Sequence, residues 1–268
     1  MNWFEVPDEV LQRVITRTGT PHPHADLDPR RTALVVVDLQ NAFMDDEIGH
    51  AVCPMARDIV PHVNRLASVV RGVGGGVFWI KNTFDERSAL EWSHAQEMLT
   101  PAARARRIGA MSEGSRGQEL WPELDVRPED EIVRKYRFSA FMPGTCELPY
   151  RLRARGFDTV LITGTVTNVC CESSARDAMM TNFKTIMVSD ANAAMKPRGR
   201  FMGLILTYYS PGQPLTPAAR TAAMFAHPLG RHVVLGASFR GRWRNRRRPL
   251  ATTATRWRGA LALTADIS

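Results

Sequence analysis

Five short runs rich in β-branched and apolar residues punctuate the chain: Ala33–Val37, Val77–Ile80, Glu131–Arg134, Thr159–Ile162 and Lys184–Val188. Most are apolar throughout, as strands covered on both faces are, while Glu131–Arg134 is apolar at alternate positions. Between the runs the pattern changes to a helical one. Residues 5–17 place Val10, Leu11, Val14 and Ile15 on one face, and residues 56–71 do the same with Ile59, Val60, Val63, Leu66 and Val70. Glu147–Arg155 and the stretch from Cys170 onward also read as helices, the latter with Val169, Ser173 and Asp177 spaced four apart. Strands alternating with helices predict an α/β fold: three layers, a doubly wound, mostly parallel sheet of five to six strands, and helices on both faces. Gly72–Gly76 precedes a strand instead of following one, so it reads as a helix stop and turn, not a phosphate loop. Residues 88–121 are a helical and loop excursion of mixed polarity, shaping a substrate pocket or a subunit contact.

Chemistry gathers where the strands end. Asp38 closes the first run, Lys135 closes the third, and Cys170 follows the fourth after Gly164 and a short polar loop. Open α/β sheets collect their reactive groups at the carboxyl ends of strands. Taken singly, Asp38 also fits a helix cap, Lys135 a surface cation and Cys170 a core thiol. Taken together, a carboxylate and a lysine beside a thiol suit nucleophilic catalysis. The N–H groups of a following helix favour the thiolate and can hold an oxyanion.

The three positions sit in extended motifs: Asp38-Leu39-Gln40-Asn41-Ala42-Phe43, then Lys135-Tyr136-Arg137-Phe138-Ser139-Ala140-Phe141, then Gly164-Thr165-Val166-Thr167-Asn168-Val169-Cys170. In this order, over residues 30–195, they resemble the isochorismatase-like cysteine hydrolase superfamily, with its D-x-Q-N-x-F, K-x-R-x-S-A-F and G-x-x-T-N-V-C motifs. The resemblance implies an Asp38–Lys135–Cys170 triad. It also implies a cis peptide between Thr165 and Val166, with Thr165, Val166 and Thr167 forming the oxyanion loop. Cys171 falls where the family carries a small apolar residue, so its thiol is expected to pack in the core. Gln40, Phe43, Asn82, Phe84, Tyr136 and Phe141, in or beside the motif stretches, are candidates for a substrate pocket.

Within that superfamily, members that cleave the vinyl ether of isochorismate lack the cysteine, so Cys170 favours C–N hydrolysis. The nicotinamidase branch places an Asp/His metal cluster near Lys81–Glu86, but here no histidine follows until His94, so neither metal nor cofactor is expected. The stretch Lys81-Asn82-Thr83-Phe84-Asp85-Glu86 looks most like N-carbamoylsarcosine or ureidoacrylate amidohydrolases. The expected activity is a cysteine amidohydrolase cleaving a small amide or N-carbamoyl/ureido substrate through a thioester-type acyl-enzyme. The alternatives are hydrolysis of another small metabolite, or a non-catalytic member with a basic nucleic-acid-binding tail. The resemblance further implies a homo-oligomer.

Composition adds the setting. Hydrophobic residues at 44% and charged residues at 23% are ordinary for a soluble globular chain of 268 residues. Four cysteines without disulfide-like spacing, two adjacent, fit a reducing cytoplasm. Met1–Thr20 lacks a signal-peptide core, and no apolar run approaches membrane-spanning length. His22 and His24 lie in a connector, and Asp45-Asp46-Glu47 in a loop; both sets read as solvated surface before metal sites.

The net charge of +8 is unevenly placed. Residues 197–268 hold 12 arginines and one acid (Asp266), leaving 23 basic and 26 acidic residues in the body. Three parts follow: residues 1–29, an N-terminal helix and connector; residues 30–195, the hydrolase-like domain; and residues 196–268, an Arg-rich segment. That last segment lacks the superfamily's closing strand and helix and is expected to be poorly ordered or loosely packed, although His232–Leu235 suits a strand. Its Arg/Ala/Pro/Gly bias fits a basic extension or an out-of-frame translation of a GC-rich gene. It offers charge for phosphates but few stacking aromatics beyond Trp243 and Trp257, which weighs against a nucleic-acid partner.

Overall fold

Every residue of the first strand, β1 (Thr32–Val37), is buried, and successive side chains leave a strand on opposite sides. Ala33, Val35 and Val37 join one apolar cluster, while Leu34 and Val36 join another. A sheet with two apolar faces needs a helical layer on each. The computed structural model, which describes residues 7–24, 26–196 and 215–216, supplies both.

The remaining elements follow in order: α1 (Asp8–Thr18) precedes β1, and α2 (Asn41–Met44), α3 (Met55–Gly72), β2 (Gly76–Asn82), α4 (Glu86–Glu91), α5 (Ser93–Glu97) and α6 (Pro101–Met111) come after it. Then come β3 (Glu131–Lys135), α7 (Leu148–Ala154), β4 (Thr159–Thr165), α8 (Glu172–Met180), β5 (Lys184–Ala193) and β6 (Leu215–Thr216). The strands line up as β3-β2-β1-β4-β5-β6, and every pairing is parallel. This is the doubly wound sheet expected from the alternation. Its strand order reverses between β1 and β4, where such sheets open a crevice for ligands.

All five predicted apolar positions of α3 pack with Leu34, Val36 and Trp79 on one face. Val14 of α1, Leu148 and Leu152 of α7, and Ala175 and Ala178 of α8 cover the other. Burying a large aliphatic side chain is worth about 1.5–3 kcal/mol, so the α3 stripe alone is a major stabilising element. Trp79 is fully buried, and its Nε1 donates to Asp130 Oδ2 at 2.8 Å, which also pairs with Arg71 at 2.7 Å. That knot pins the entry to β3 against α3.

The structure extends several predicted elements. α1 was expected over residues 5–17, of which residues 5 and 6 lie outside the described residues, and it continues to Thr18. β4 runs on to Thr165 and β5 to Ala193, because the ladder resumes after a bulge: Ile162 pairs with Met187, but Gly164 pairs with Asn192. The Asn192 side chain fills the gap, its Nδ2 donating to Ile162 O at 3.0 Å and Val188 O at 2.8 Å. Within the Arg-rich segment, Leu215–Thr216 takes the sixth place in the sheet, beside Met187 and Val188. A sixth strand is therefore present, with Leu215–Thr216 as its described residues. The suggested strand at His232–Leu235 and the order of the rest of that segment lie outside the described residues. Among the described residues no helix is long and apolar enough to cross a membrane.

Gly164 of β4 pairs with Val37 of β1. Its φ is +115°, and a Cβ there would overlap the carbonyl oxygen of Val37. Gly164→Ala should therefore lower the unfolding free energy by about 2–5 kcal/mol, combining backbone strain with overpacking. Urea denaturation monitored by tryptophan fluorescence measures it; a loss below about 0.5 kcal/mol would show that the strands can part.

Candidate active site

The three strand-end residues of the motifs meet at the crevice. Asp38 follows β1 with a φ of +54°, a left-handed conformation that aspartate tolerates better than most residues. Its N–H still bonds Ile80 O at 3.1 Å, which turns the carboxyl across the end of β2. Lys135 ends β3 in register with Asn82. Its Nζ lies 2.8 Å from Asp38 Oδ2 and donates to Arg137 O at 3.0 Å. Neither side chain is exposed at all.

Cys170 arrives from the other side of the switch point. The peptide between Thr165 and Val166 is cis, as the motif resemblance implied. The chain then makes a wide π-helical turn over Thr167–Cys171, with Cys171 N donating to Val166 O at 3.3 Å, before α8 begins. This turn brings the Cys170 thiol close enough to Asp38 and Lys135 for both to act on its protonation. The carbonyl of Cys170 accepts from Ser174 Oγ at 2.6 Å, and Ser174 Oγ accepts from Ala140 N at 3.0 Å, tying the turn to the loop after Lys135. Cys171 points away into the core, its Sγ 3.9 Å from Thr163 O.

Burial dominates the electrostatics. It raises the pKa of Asp38, and the charge and hydrogen bond of Lys135, with further bonds to Cys170 and Asn82, only partly offset it. Burial alone would discharge Lys135, but Asp38 and Cys170 hold it above its ordinary value. The Cys170 thiol is pushed up to about 12, by burial first and by Asp38, against the pull of Lys135. This differs from the thiolate expected at a helix start: with the site fully desolvated, helix N–H groups and one lysine do not outweigh the loss of water. Burial thus shifts both the thiol and the carboxyl toward their protonated forms.

A cavity of about 300 Å³ reaches this cluster, and of the three residues only Cys170 lines it. Of the pocket candidates, Phe43 and Asn82 line it too, as does Val166. Gln40 does not. Its buried amide is tied to the backbone instead, Oε1 accepting from Asn82 N at 2.7 Å and Nε2 donating to Asn82 O at 3.2 Å and Gln118 O at 2.8 Å. Phe84 and Phe141 belong to the apolar clusters on either face of the sheet, the latter 5.5 Å from Phe183. Tyr136 opens on a separate groove of about 700 Å³ with Cys146 and Glu147, which none of the three clustered residues lines. Thr165 Oγ1 bonds Ala193 O at 3.3 Å, and Thr167 Oγ1 is buried without a partner among the described residues. The cavity also takes His50, Leu99, Arg107 and Phe138, residues that sequence reasoning left out. The undivided excursion after β2 hid two of these, because its mixed polarity named no face. Among the described residues no group of three or more His, Cys, Asp or Glu side chains is placed to share a metal ion.

The Isochorismatase domain family matches residues 32–216, including Leu215–Thr216 of the sixth strand. The chain belongs to the isochorismatase family. Among its relatives, the ureidoacrylate amidohydrolase RutB of Variovorax paradoxus (strain S110) is 32% identical over 184 residues, covering 64% of this chain and 71% of that one. A cysteine hydrolase from Pseudomonas syringae pv. phaseolicola superposes with a TM-score of 0.63 at 27% identity, over 75% of this chain and 95% of the other. The N-carbamoylsarcosine amidase of Thermoplasma acidophilum gives a TM-score of 0.55 at 26% identity, over 70% and 96%. The isochorismatase-family match extends past Met195, where the motifs gave out.

The buried pair generates a pH prediction. The folded pKa of Asp38 lies above its ordinary value of 3.8. Folding therefore takes up a proton here, and this group's contribution to stability declines as pH rises above that value. Lys135 limits the decline by favouring the carboxylate. In Lys135→Met the opposing charge is gone, so stability should fall more steeply with rising pH than in the wild type. The deficit should reach about 3–5 kcal/mol near neutrality. Urea unfolding across about pH 4–8 checks this; parallel curves for the two proteins would mean Lys135 does not hold the carboxylate.

Proposed function

We propose that this chain is a cysteine amidohydrolase that cleaves the C–N bond of a small amide or N-carbamoyl/ureido substrate. The observation that carries it is the 2.8 Å pairing of Asp38 with the Lys135 ammonium beside Cys170, whose thiol lines a cavity. The names of two relatives, a ureidoacrylate amidohydrolase and an N-carbamoylsarcosine amidase, support the ureido class of substrate.

The raised pKa values of thiol and carboxyl suit a concerted start. Asp38 takes the thiol proton as sulfur attacks the carbonyl carbon, so no free thiolate has to be held in a desolvated site. Lys135 offsets the charge passing between carboxylate and sulfur, and the Thr165–Thr167 loop supplies N–H donors to the developing oxyanion. Collapse of the tetrahedral adduct breaks the C–N bond. Asp38 returns its proton to the leaving nitrogen, giving ammonia or an amine and a thioester on Cys170. Asp38 then accepts a proton from water, which attacks the thioester and releases the acid, and Cys170 regains its proton.

Ammonia release across a panel of small amides and ureido acids tests the activity. Cys170→Ala should lower turnover by at least about a thousandfold with the fold intact. Cys171→Val, close in volume and packed in the core away from the cavity, should keep most of it. Asp38→Asn should slow both turnover and iodoacetamide alkylation, because the proton acceptor is lost. An active Cys170→Ala beside an inactive Cys171→Val would assign the chemistry to the wrong sulfur.

A further inference from the structure

The cavity over Cys170 is mostly apolar, and among the described residues its lining carries one charged side chain, Arg107 of α6. His50 beside it is held neutral: burial first, then the charges of Arg107 and Arg106, lower its pKa to about 4. Among the described residues no carboxylate lines the cavity.

Other partly buried arginines of the fold answer an acid: Arg71 pairs with Asp130 at 2.7 Å, Arg137 with Glu91 at 3.3 Å and Arg176 with Glu172 at 2.8 Å. Arg107 pairs with none among the described residues, and its Nε is buried without a hydrogen-bond partner. His50 Nδ1, in the same wall, is likewise unpartnered. The guanidinium lies 5.1 Å from the centroid of Trp92, whose ring is also approached by Arg137 at 5.4 Å and stands edge-on to Phe138 at 4.9 Å. Trp92 thus fixes the arginine without neutralising it. A guanidinium keeps its proton even when burial opposes the charge, as it does here. A partly desolvated cation needs a counter-charge, and a planar fork of N–H donors suits a carboxylate.

We propose that Arg107 is a specificity-determining residue, binding a carboxylate carried by the substrate while the scissile carbonyl lies against Cys170. The inference rests on Cys170 being the nucleophile and narrows its substrates to small anionic amides and ureido acids.

Iodoacetate and iodoacetamide test it, since they deliver the same carbon to sulfur and differ only in carboxylate against amide. Any influence of Arg107 on the thiol itself affects both reagents and cancels in the ratio of their rates. Alkylation of Cys170 in the full chain is followed by peptide mass spectrometry, with N-acetylcysteine as the free-thiol reference. The iodoacetate/iodoacetamide rate ratio at Cys170 should exceed the reference by about tenfold, the low end of what a charge-assisted hydrogen bond contributes. Arg107→Gln should return it close to the reference, and Arg107→Lys, checked for native circular dichroism, should fall between. A ratio unchanged by Arg107→Gln, or a lysine variant no higher than the glutamine one, overturns the role of Arg107 and leaves Cys170 as nucleophile. No alkylation of Cys170 by either reagent overturns both readings.

Discussion

Two opposite charges with no exposure to water, Lys135 and Asp38, stand 2.8 Å apart at the ends of strands that are not neighbours. Each is tolerable in the interior only because the other is there. Their meeting depends on the register of the strand between them. β2 places Ile80 beside Val37 and Asn82 beside Lys135, and a slip of one residue on either side would turn one of the charges into an apolar layer. The hydrolase chemistry proposed for the site therefore depends on the same ladder that holds the fold.

Around that pair, polar groups act as struts. Gln40 clasps the backbone of Asn82 from both sides, next to the Asp38–Lys135 pair. Asn192 spans the bulge of β5, and Ser174 joins the Cys170 turn to Ala140. Buried side-chain amides and hydroxyls of this kind fix geometry because an unpaired polar group is expensive at low dielectric. The carboxylate and thiol accordingly meet without a loop having to close.

Much of this was legible in the chain. Runs such as Thr159–Ile162 and the α3 stripe state their structure through period and length, and the strand-end motifs located Asp38, Lys135 and Cys170. What periodicity does not convey is which way a polar residue faces once the strand has ended. Gln40 sits in a motif and was assigned to the pocket, yet it serves the ladder; Phe84 and Phe141 serve the core. Arg107 escaped notice because α6 belongs to a stretch of mixed polarity, where a cation facing a cavity and a cation facing solvent look alike. The upward shift of the Cys170 pKa has no sequence signal for a related reason: desolvation depends on everything packed around a sulfur, which no local motif encodes.

One consequence follows from where the cavity wall comes from. Asp38 and Lys135 hang from strand ends, but Leu99, Ala103, Arg107 and Met111 all come from the insertion between β2 and β3. Part of the wall over Cys170 thus comes from a stretch of chain separate from the strand ends. Substitutions in the insertion can therefore reshape that part of the wall while the sheet is inherited unaltered, leaving the strand-end cluster in place.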